Sequence, residues 1–121
     1  MAARQHLDTY LEGWRLGDSV KSLTAVVPNF HYDDPNTGRI YRDDFVGFME
    51  AFKADAAALN NGQIGSPFLT YTDIVIDDST TPSTVWCWWQ ATGTDLQGAA
   101  LIHFDESGVI SERIAYFSKL P

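Results

Sequence analysis

Apolar residues near the start of the chain recur every three or four positions, at Leu7, Tyr10, Leu11 and Trp14. This spacing places their side chains on one face of a helix, which we predict over residues 2–16. Gly17 follows at the position where a helix commonly ends.

Two further helices are predicted before residue 60. A short one over residues 19–27, with Val20, Leu23 and Val26 or Val27 facing the core, ends before Pro28. A longer one over residues 43–59 carries an apolar stripe, made of Phe45, Phe48, Met49 and Phe52.

Strand patterns occur between the second and third predicted helices and again after the third. Residues 30–34 alternate between two faces, and four later runs have strand character and turn residues at their ends; these runs are 68–77, 84–92, 96–104 and 109–117. Their short connections are typical of an antiparallel meander. We therefore predict a single α+β domain over residues 1–121, with three N-terminal helices packed on one face of a curved antiparallel sheet.

Composition narrows the classes of function. Hydrophobic residues make up 45% of the 121 positions and aromatic residues 13%, including four tryptophans, which favours a pocket or a large interface. The net charge of −8 argues against nucleic acid and membrane surfaces as partners. The single cysteine, Cys87, excludes an intrachain disulfide. With no apolar signal-peptide core at the N-terminus, these features predict a soluble, cytoplasmic protein.

The most distinctive stretch is residues 30–42, FHYDDPNTGRIYR, which contains two adjacent carboxylates. Strand alternation places Asp34 on the same face as Phe30 and Tyr32, and turns Asp33 away from them. In an apolar space, the Asp34 carboxylate could act as a general base. It could equally cap the following turn by accepting backbone N–H groups. Asp33 is interpreted as solvated or paired with an arginine, Arg39 or Arg42.

These segments together resemble the nuclear-transport-factor-2-like superfamily, in particular ketosteroid isomerases and SnoaL-like polyketide cyclases. The residues that carry the resemblance are YLEGWRLGD at 10–18, FHYDDP at 30–35 and IHF at 102–104. The resemblance implies a cone-shaped sheet that encloses an apolar pocket. It also implies that Asp34 is the general base and Tyr10 the hydrogen-bond donor to the developing enolate oxygen.

The chain departs from the isomerase pattern at two positions. Ile102 stands where the isomerases have a protonated aspartate as a second donor, and Met49 stands where a supporting tyrosine is expected. Loss of one such donor typically slows catalysis about a hundredfold or more.

Substrate-contacting positions are predicted on the inward faces of the helices and strands. Glu112 shares a face of the last strand with Ile114 and Tyr116. It is either a second ionisable group of the pocket, acting as an acid or as the partner of a basic ligand, or a rim residue in water. The full set of predicted substrate-binding residues is Trp14, Tyr32, Phe48, Phe52, Trp89, Ile102, Glu112 and Tyr116.

Alternation in the 84–92 strand turns Trp86 and Trp88 outward. Exposed indoles of this kind favour burial against a partner, so we predict a homodimer through the sheet face. His103 also faces outward. The histidines and Cys87 lack metal-ligand spacing, and no phosphate loop is present, so we predict neither a metal nor a cofactor.

Two hypotheses for function follow. The first is a cofactor-independent isomerase, cyclase or lyase that acts on a small hydrophobic carbonyl compound, with Asp34 moving a proton. The second is a non-catalytic module of the same fold that binds a hydrophobic ligand or a protein. Water activation by Asp34, as in epoxide hydrolysis, is a third route with less support.

Overall fold

A computed structural model describes residues 2–117 of the chain. Three α-helices come first, with a 3-10 turn at Arg42–Asp44 before the third: α1 Ala3–Leu16, α2 Ser19–Leu23 and α3 Phe45–Ala58. Six strands form one sheet: β1 Val26–Asp34, β2 Gly38–Tyr41, β3 Leu69–Asp77, β4 Ser83–Ala91, β5 Gln97–Asp105 and β6 Gly108–Tyr116.

The strands lie in the order β2-β1-β6-β5-β4-β3. The four C-terminal strands form the antiparallel meander that the sequence predicts. The helices pack on this curved, unclosed sheet, which confirms the α+β prediction. One detail differs: β1 runs parallel to β6, so the sheet is mixed. The intervening residues 35–107 provide the long connection that a parallel pair needs.

Helix boundaries follow local capping chemistry. Gly17 adopts φ 67° and its N–H bonds back to carbonyl oxygens at the end of α1, as glycine does at helix C-termini. Asp18 then caps α2, because its side chain accepts the backbone N–H of Lys21 at 3.1 Å.

The second helix is shorter than the sequence suggests. It ends at Leu23, and the β-branched pair Val26 and Val27 opens β1 instead, in keeping with the strand preference of valine. Val20, predicted to face the core, is 66% exposed. Strand β2 was not predicted; it pairs with β1 from Tyr41 opposite His31 to Gly38 opposite Asp34.

Aromatic rings fill the space between the helices and the sheet. The predicted stripe of α1 is buried, and the Trp14 ring lies 5.6–5.7 Å, centroid to centroid, from Tyr32, Phe45 and Phe52. Such edge-on and tilted pairs are favourable aromatic geometries. The helices are therefore held on the sheet mainly by ring packing.

The opposite face of the sheet is open to solvent. Trp86 is 55% exposed, while Trp88 is half-buried and stacks on Phe117 with ring centroids 4.9 Å apart. Cys87 and Trp89 point into the core, as alternation predicts. Among residues 2–117, no helix is both long and apolar enough to cross a membrane.

Gly98 marks a close approach between β5 and β6. A Cβ atom there would lie 1.8 Å from the Ala115 carbonyl oxygen and 2.9 Å from Trp89 Cζ2. We expect Gly98→Ala to lower the free energy of unfolding by about 3 kcal/mol or more, since the strands must separate. Gly47→Ala is the control: its Cβ meets nothing within 4 Å, and it should add about 1 kcal/mol. Urea denaturation measures both, and equal stability of the two variants would contradict the prediction.

Candidate functional site

Asp34 ends β1 and receives three hydrogen bonds. Its Oδ1 atom accepts the backbone N–H groups of Asn36 at 2.7 Å and Thr37 at 3.2 Å, and its Oδ2 accepts the Tyr116 hydroxyl at 2.7 Å. The side chain is only 4% exposed. The carboxylate therefore caps the turn, as one of the two interpretations predicts, and it also lies at the edge of the interior.

Tyr116 links this carboxylate to the aromatic interior. Its ring meets the Trp89 ring edge-on at 5.6 Å. Burial, followed by the hydrogen bond to Asp34 and the charge of that group, raises the pKa of Tyr116 far above its ordinary value. The phenol therefore remains a hydrogen-bond donor to Asp34 at physiological pH.

A surface hollow of about 280 Å³, largely open to solvent, lies at the turn end of β1 and is lined by Asp33, Asp34, Pro35, Arg113 and Ile114. Asp33 faces the outer side of the sheet, as predicted, and Arg39 binds both of its oxygens at 2.8 and 3.1 Å. Of the two adjacent carboxylates, Asp33 is thus engaged with an arginine at the surface and Asp34 belongs to the interior.

A second carboxyl group, Glu112, lies deeper in the molecule. It is 2% exposed, so it is not a rim residue in water, and its Oε1 accepts the Tyr10 hydroxyl at 2.5 Å. Tyr10, from α1, is itself fully buried. The structure therefore pairs Tyr10 with Glu112 and Asp34 with Tyr116, two carboxyl–phenol pairs contributed by α1, β1 and β6.

The environment of Glu112 alters its acidity. Burial raises the pKa of Glu112 to about 7, although the hydrogen bond from Tyr10 acts in the opposite direction. Burial and the nearby Glu112 charge together raise the pKa of Tyr10 well above its usual range. Glu112 therefore changes between acid and carboxylate close to neutral pH, while Tyr10 keeps its proton.

Glu112 stands next to the position at which the isomerase resemblance expects an acid. In the sheet it is the register partner of Ile102 on β5 and of Tyr32 on β1. Asp34 lies two residues beyond Tyr32 on the same face, about 7 Å further along the strand. The inner face of the sheet thus carries two carboxyl groups close together, although position 102 carries none.

The remaining predicted residues line the same interior. Phe48 is half-buried and packs on Tyr32 with ring centroids 4.9 Å apart. The others are almost completely enclosed: Trp14, Tyr32, Phe52, Trp89 and Ile102. Within residues 2–117, no group of three or more His, Cys, Asp or Glu side chains is placed to hold a metal ion.

The pairing of Tyr10 with Glu112 is the feature that the sequence did not reveal. Alternation placed Glu112 and Tyr116 on one face of the last strand, but it does not identify their partners. Those partners lie 102 positions away for Glu112 and 82 positions away for Tyr116. The register of β5 and β6 pairs Ile102 with Glu112. This register was the signal that could have linked Glu112 to the position where the resemblance expects an acid.

No family model matches the chain, and no curated protein matches it. Solved structures do match. An NTF2-like protein from Cytophaga hutchinsonii aligns with a TM-score of 0.68 over 94% of both chains, at 10% identity. A ketosteroid isomerase-like protein from Erwinia carotovora atroseptica aligns at 0.65 over 98% of this chain and 95% of its own, at 11% identity.

A third match is a "putative polyketide cyclase" from Xanthomonas campestris pv. campestris. It has a TM-score of 0.61 and 16% identity, and the alignment covers 92% of this chain and 87% of that one. At these identities the comparisons concern the fold. They confirm the nuclear-transport-factor-2-like architecture that the sequence resemblance implied.

The acidity of Glu112 predicts a pH dependence of stability. Its pKa is about 7 in the folded chain against 4.5 for the ordinary group, so the folded state binds more protons between these values. The stabilisation is complete below about pH 4.5 and is lost as the pH rises through 7, by up to about 3 kcal/mol.

Glu112→Gln keeps an oxygen for the Tyr10 hydrogen bond but does not titrate. Urea unfolding of both proteins across this range should therefore show the wild type losing stability relative to the variant as the pH rises. Parallel stability profiles would contradict the altered acidity of Glu112.

Proposed function

We propose that this protein is a cofactor-independent isomerase, cyclase or lyase acting on a small hydrophobic carbonyl compound, with Asp34 as the general base. The observation that carries the proposal is the Asp34 carboxylate, which is nearly buried and is oriented by three donors, one of them the Tyr116 hydroxyl at the aromatic interior. The fold neighbours described as isomerase-like and cyclase proteins are consistent with this class of reaction.

Orientation favours Asp34 as the group that accepts the proton. The two turn amides hold Oδ1, while Oδ2 accepts a single hydrogen bond, from Tyr116. A carboxylate oxygen has a second lone-pair site, so Oδ2 retains one acceptor position for a substrate proton. A base held in one position by fixed partners loses little entropy when it reacts.

Tyr10 and Glu112 would stabilise the charge that develops on the substrate oxygen. When Glu112 is protonated, its O–H can donate to the Tyr10 oxygen, which leaves the Tyr10 O–H free to donate to the substrate. With a pKa of about 7, Glu112 is protonated in a large fraction of molecules at neutral pH. The isomerase pattern has its acid at the position of Ile102. Here the pair provides an acid on the adjacent strand, opposite Ile102.

The reaction would be a proton transfer at carbon. Asp34 removes a proton from the carbon next to the carbonyl group, and the C–H electron pair becomes part of an enolate. The Tyr10 hydroxyl donates a hydrogen bond to the enolate oxygen. The proton then returns from Asp34 to carbon, at the original or a conjugated position, and no electrons are gained or lost.

One observation favours the second hypothesis, a binding module without catalysis. Tyr10, Trp14 and Ile102 are at most 1% exposed because neighbouring rings pack against them, and Ile102 cannot donate a hydrogen bond. If Asp34 serves only as the cap of its turn, the interior has neither a general base nor a donor at position 102. The protein would then bind a ligand or a partner without chemistry. The two functions differ in whether bound ketone exchanges its α-hydrogens.

We also propose that two copies associate through the outer face of the sheet, in the cytoplasm. A cavity of about 180 Å³ lies beside the exposed Trp86, with Ala99, Leu101 and Ala115 in its lining. In a two-fold interface the same patch meets itself, so the Trp86 ring of each copy would occupy the cavity of the other. Burial of two indoles would supply much of the association energy.

Asp34→Asn should abolish exchange of α-hydrogens in small aryl and alkyl ketones, measured by NMR in deuterated water, while ketone binding persists. The amide is nearly isosteric with the carboxyl group but accepts no proton at neutral pH, so loss of a general base should slow exchange at least a hundredfold. Asp77→Asn is the matched control, because that exposed carboxylate also caps a turn, accepting the backbone N–H of Ser79 at 2.8 Å, and lies outside the site. Undiminished exchange in Asp34→Asn would remove the assignment, and absence of exchange in the wild type would leave the binding module.

Trp86→Ser should convert the dimer to a monomer. The substitution removes the exposed ring and leaves the core side of β4 unchanged, so the fold is retained. Sedimentation equilibrium should give twice the chain mass for the wild type and the chain mass for the variant. A monomeric wild type would refute the proposed interface.

A further inference from the structure

Trp14 carries a hydrogen-bond donor that has no acceptor. Its side chain is 1% exposed, and its indole Nε1 is the one buried side-chain nitrogen or oxygen within residues 2–117 that lacks a hydrogen-bond partner. Trp88 and Trp89 each donate their indole N–H to an acceptor at 3.2 Å. A buried donor left without a partner destabilises the folded state, and such a group calls for an explanation.

The position of this donor points to a role. Trp14 follows Tyr10 by one helical turn on the buried face of α1, and residues four apart on a helix are neighbours. The indole N–H lies near enough to the Tyr10 hydroxyl to oppose the rise in the pKa of Tyr10, although no hydrogen bond of ordinary geometry joins the two groups. The unsatisfied donor therefore lies beside the Tyr10–Glu112 pair.

We propose that the indole N–H of Trp14 is a second hydrogen-bond donor to the carbonyl oxygen of the substrate. The inference rests on the proposed function and identifies the group that acts there in addition to Tyr10. While Glu112 is a carboxylate, the Tyr10 proton is engaged by it at 2.5 Å, but the Trp14 N–H forms no hydrogen bond of ordinary geometry with a protein acceptor. The ligand class is a neutral ketone or aldehyde, or the enolate derived from it.

Access to this donor requires side-chain movement, because Trp14 and Tyr10 have almost no accessible surface. Phe48 is a side chain whose displacement can open the interior, since it is half-buried and packs on Tyr32. A carbonyl oxygen that reaches the indole satisfies the unpartnered N–H and so recovers part of the cost of burying it. This recovered free energy favours ligands with an acceptor atom over pure hydrocarbons.

The probe is acetophenone, which contains one carbonyl oxygen and an exchangeable methyl group. In protein labelled with ¹⁵N-tryptophan, the four indole N–H resonances are assigned by substitution, and acetophenone is added. The Trp14 resonance should move downfield, while those of Trp88 and Trp89 stay in place because their hydrogen bonds are already formed. A Trp14 resonance that does not move, whether or not acetophenone binds elsewhere, overturns the proposal.

Trp14→Phe keeps an aromatic ring and removes the N–H. It should weaken acetophenone binding several-fold, as for loss of one neutral hydrogen bond, and slow α-hydrogen exchange about a hundredfold, since the bond strengthens on the enolate. Trp86→Phe, which alters an exposed indole, should change neither quantity. Exchange and binding in Trp14→Phe equal to those of the wild type would overturn the proposal; if the variant does not fold, the wild-type resonances decide.

The proposed reaction and the proposed Trp14 donor can be refuted independently of each other. A shifted Trp14 resonance without exchange of the methyl hydrogens would refute the proposed reaction and retain the donor. Exchange that depends on Asp34 with an unmoved Trp14 resonance would retain the reaction and refute the donor.

Discussion

The hydrogen bond between Tyr10 and Glu112 is the interaction on which the interior of this protein depends. It joins the first helix to the last strand and provides a partner for a carboxyl group that is almost completely buried. A buried charge without a partner is strongly destabilising, so the ionised form of Glu112 is tolerated among the aromatic rings only while Tyr10 donates to it. The influence of Glu112 also extends outward, because its charge raises the pKa values of Tyr32 and Tyr71 beyond the effect of burial.

Much of the fold could be predicted because it follows from local patterns. The stripe of α1 and the alternation of β4 are strong periodic signals, and both side-chain orientations were confirmed. The failures occurred where the local signal was ambiguous. Val26 and Val27 fit either the end of a helix or the start of a strand, and pairing with β6 decides for the strand. Strand β2 is four residues long, and its existence depends on its partner β1.

The candidate site was less predictable than the fold because its geometry arises from contacts between distant residues. Alternation indicated which face Asp34 and Glu112 would occupy, yet the partner of each depends on strand order. The parallel placement of β1 beside β6 brings Tyr32 next to Glu112, and no short-range pattern encodes that pairing. Ile102 departs from the isomerase pattern because it carries no acid. Its cross-strand neighbour, Glu112, carries one on the same face of the sheet, and only the strand register reveals this.

The parallel pair also has a consequence for the order in which the molecule matures during synthesis. Tyr10 and Asp34 emerge from the ribosome before Glu112 and Tyr116, which both lie on β6. Contacts that span most of a chain form slowly, because a long loop must close first. Neither carboxyl–phenol pair can exist in a nascent chain that lacks β6, so both pairs form only after that strand has been synthesised.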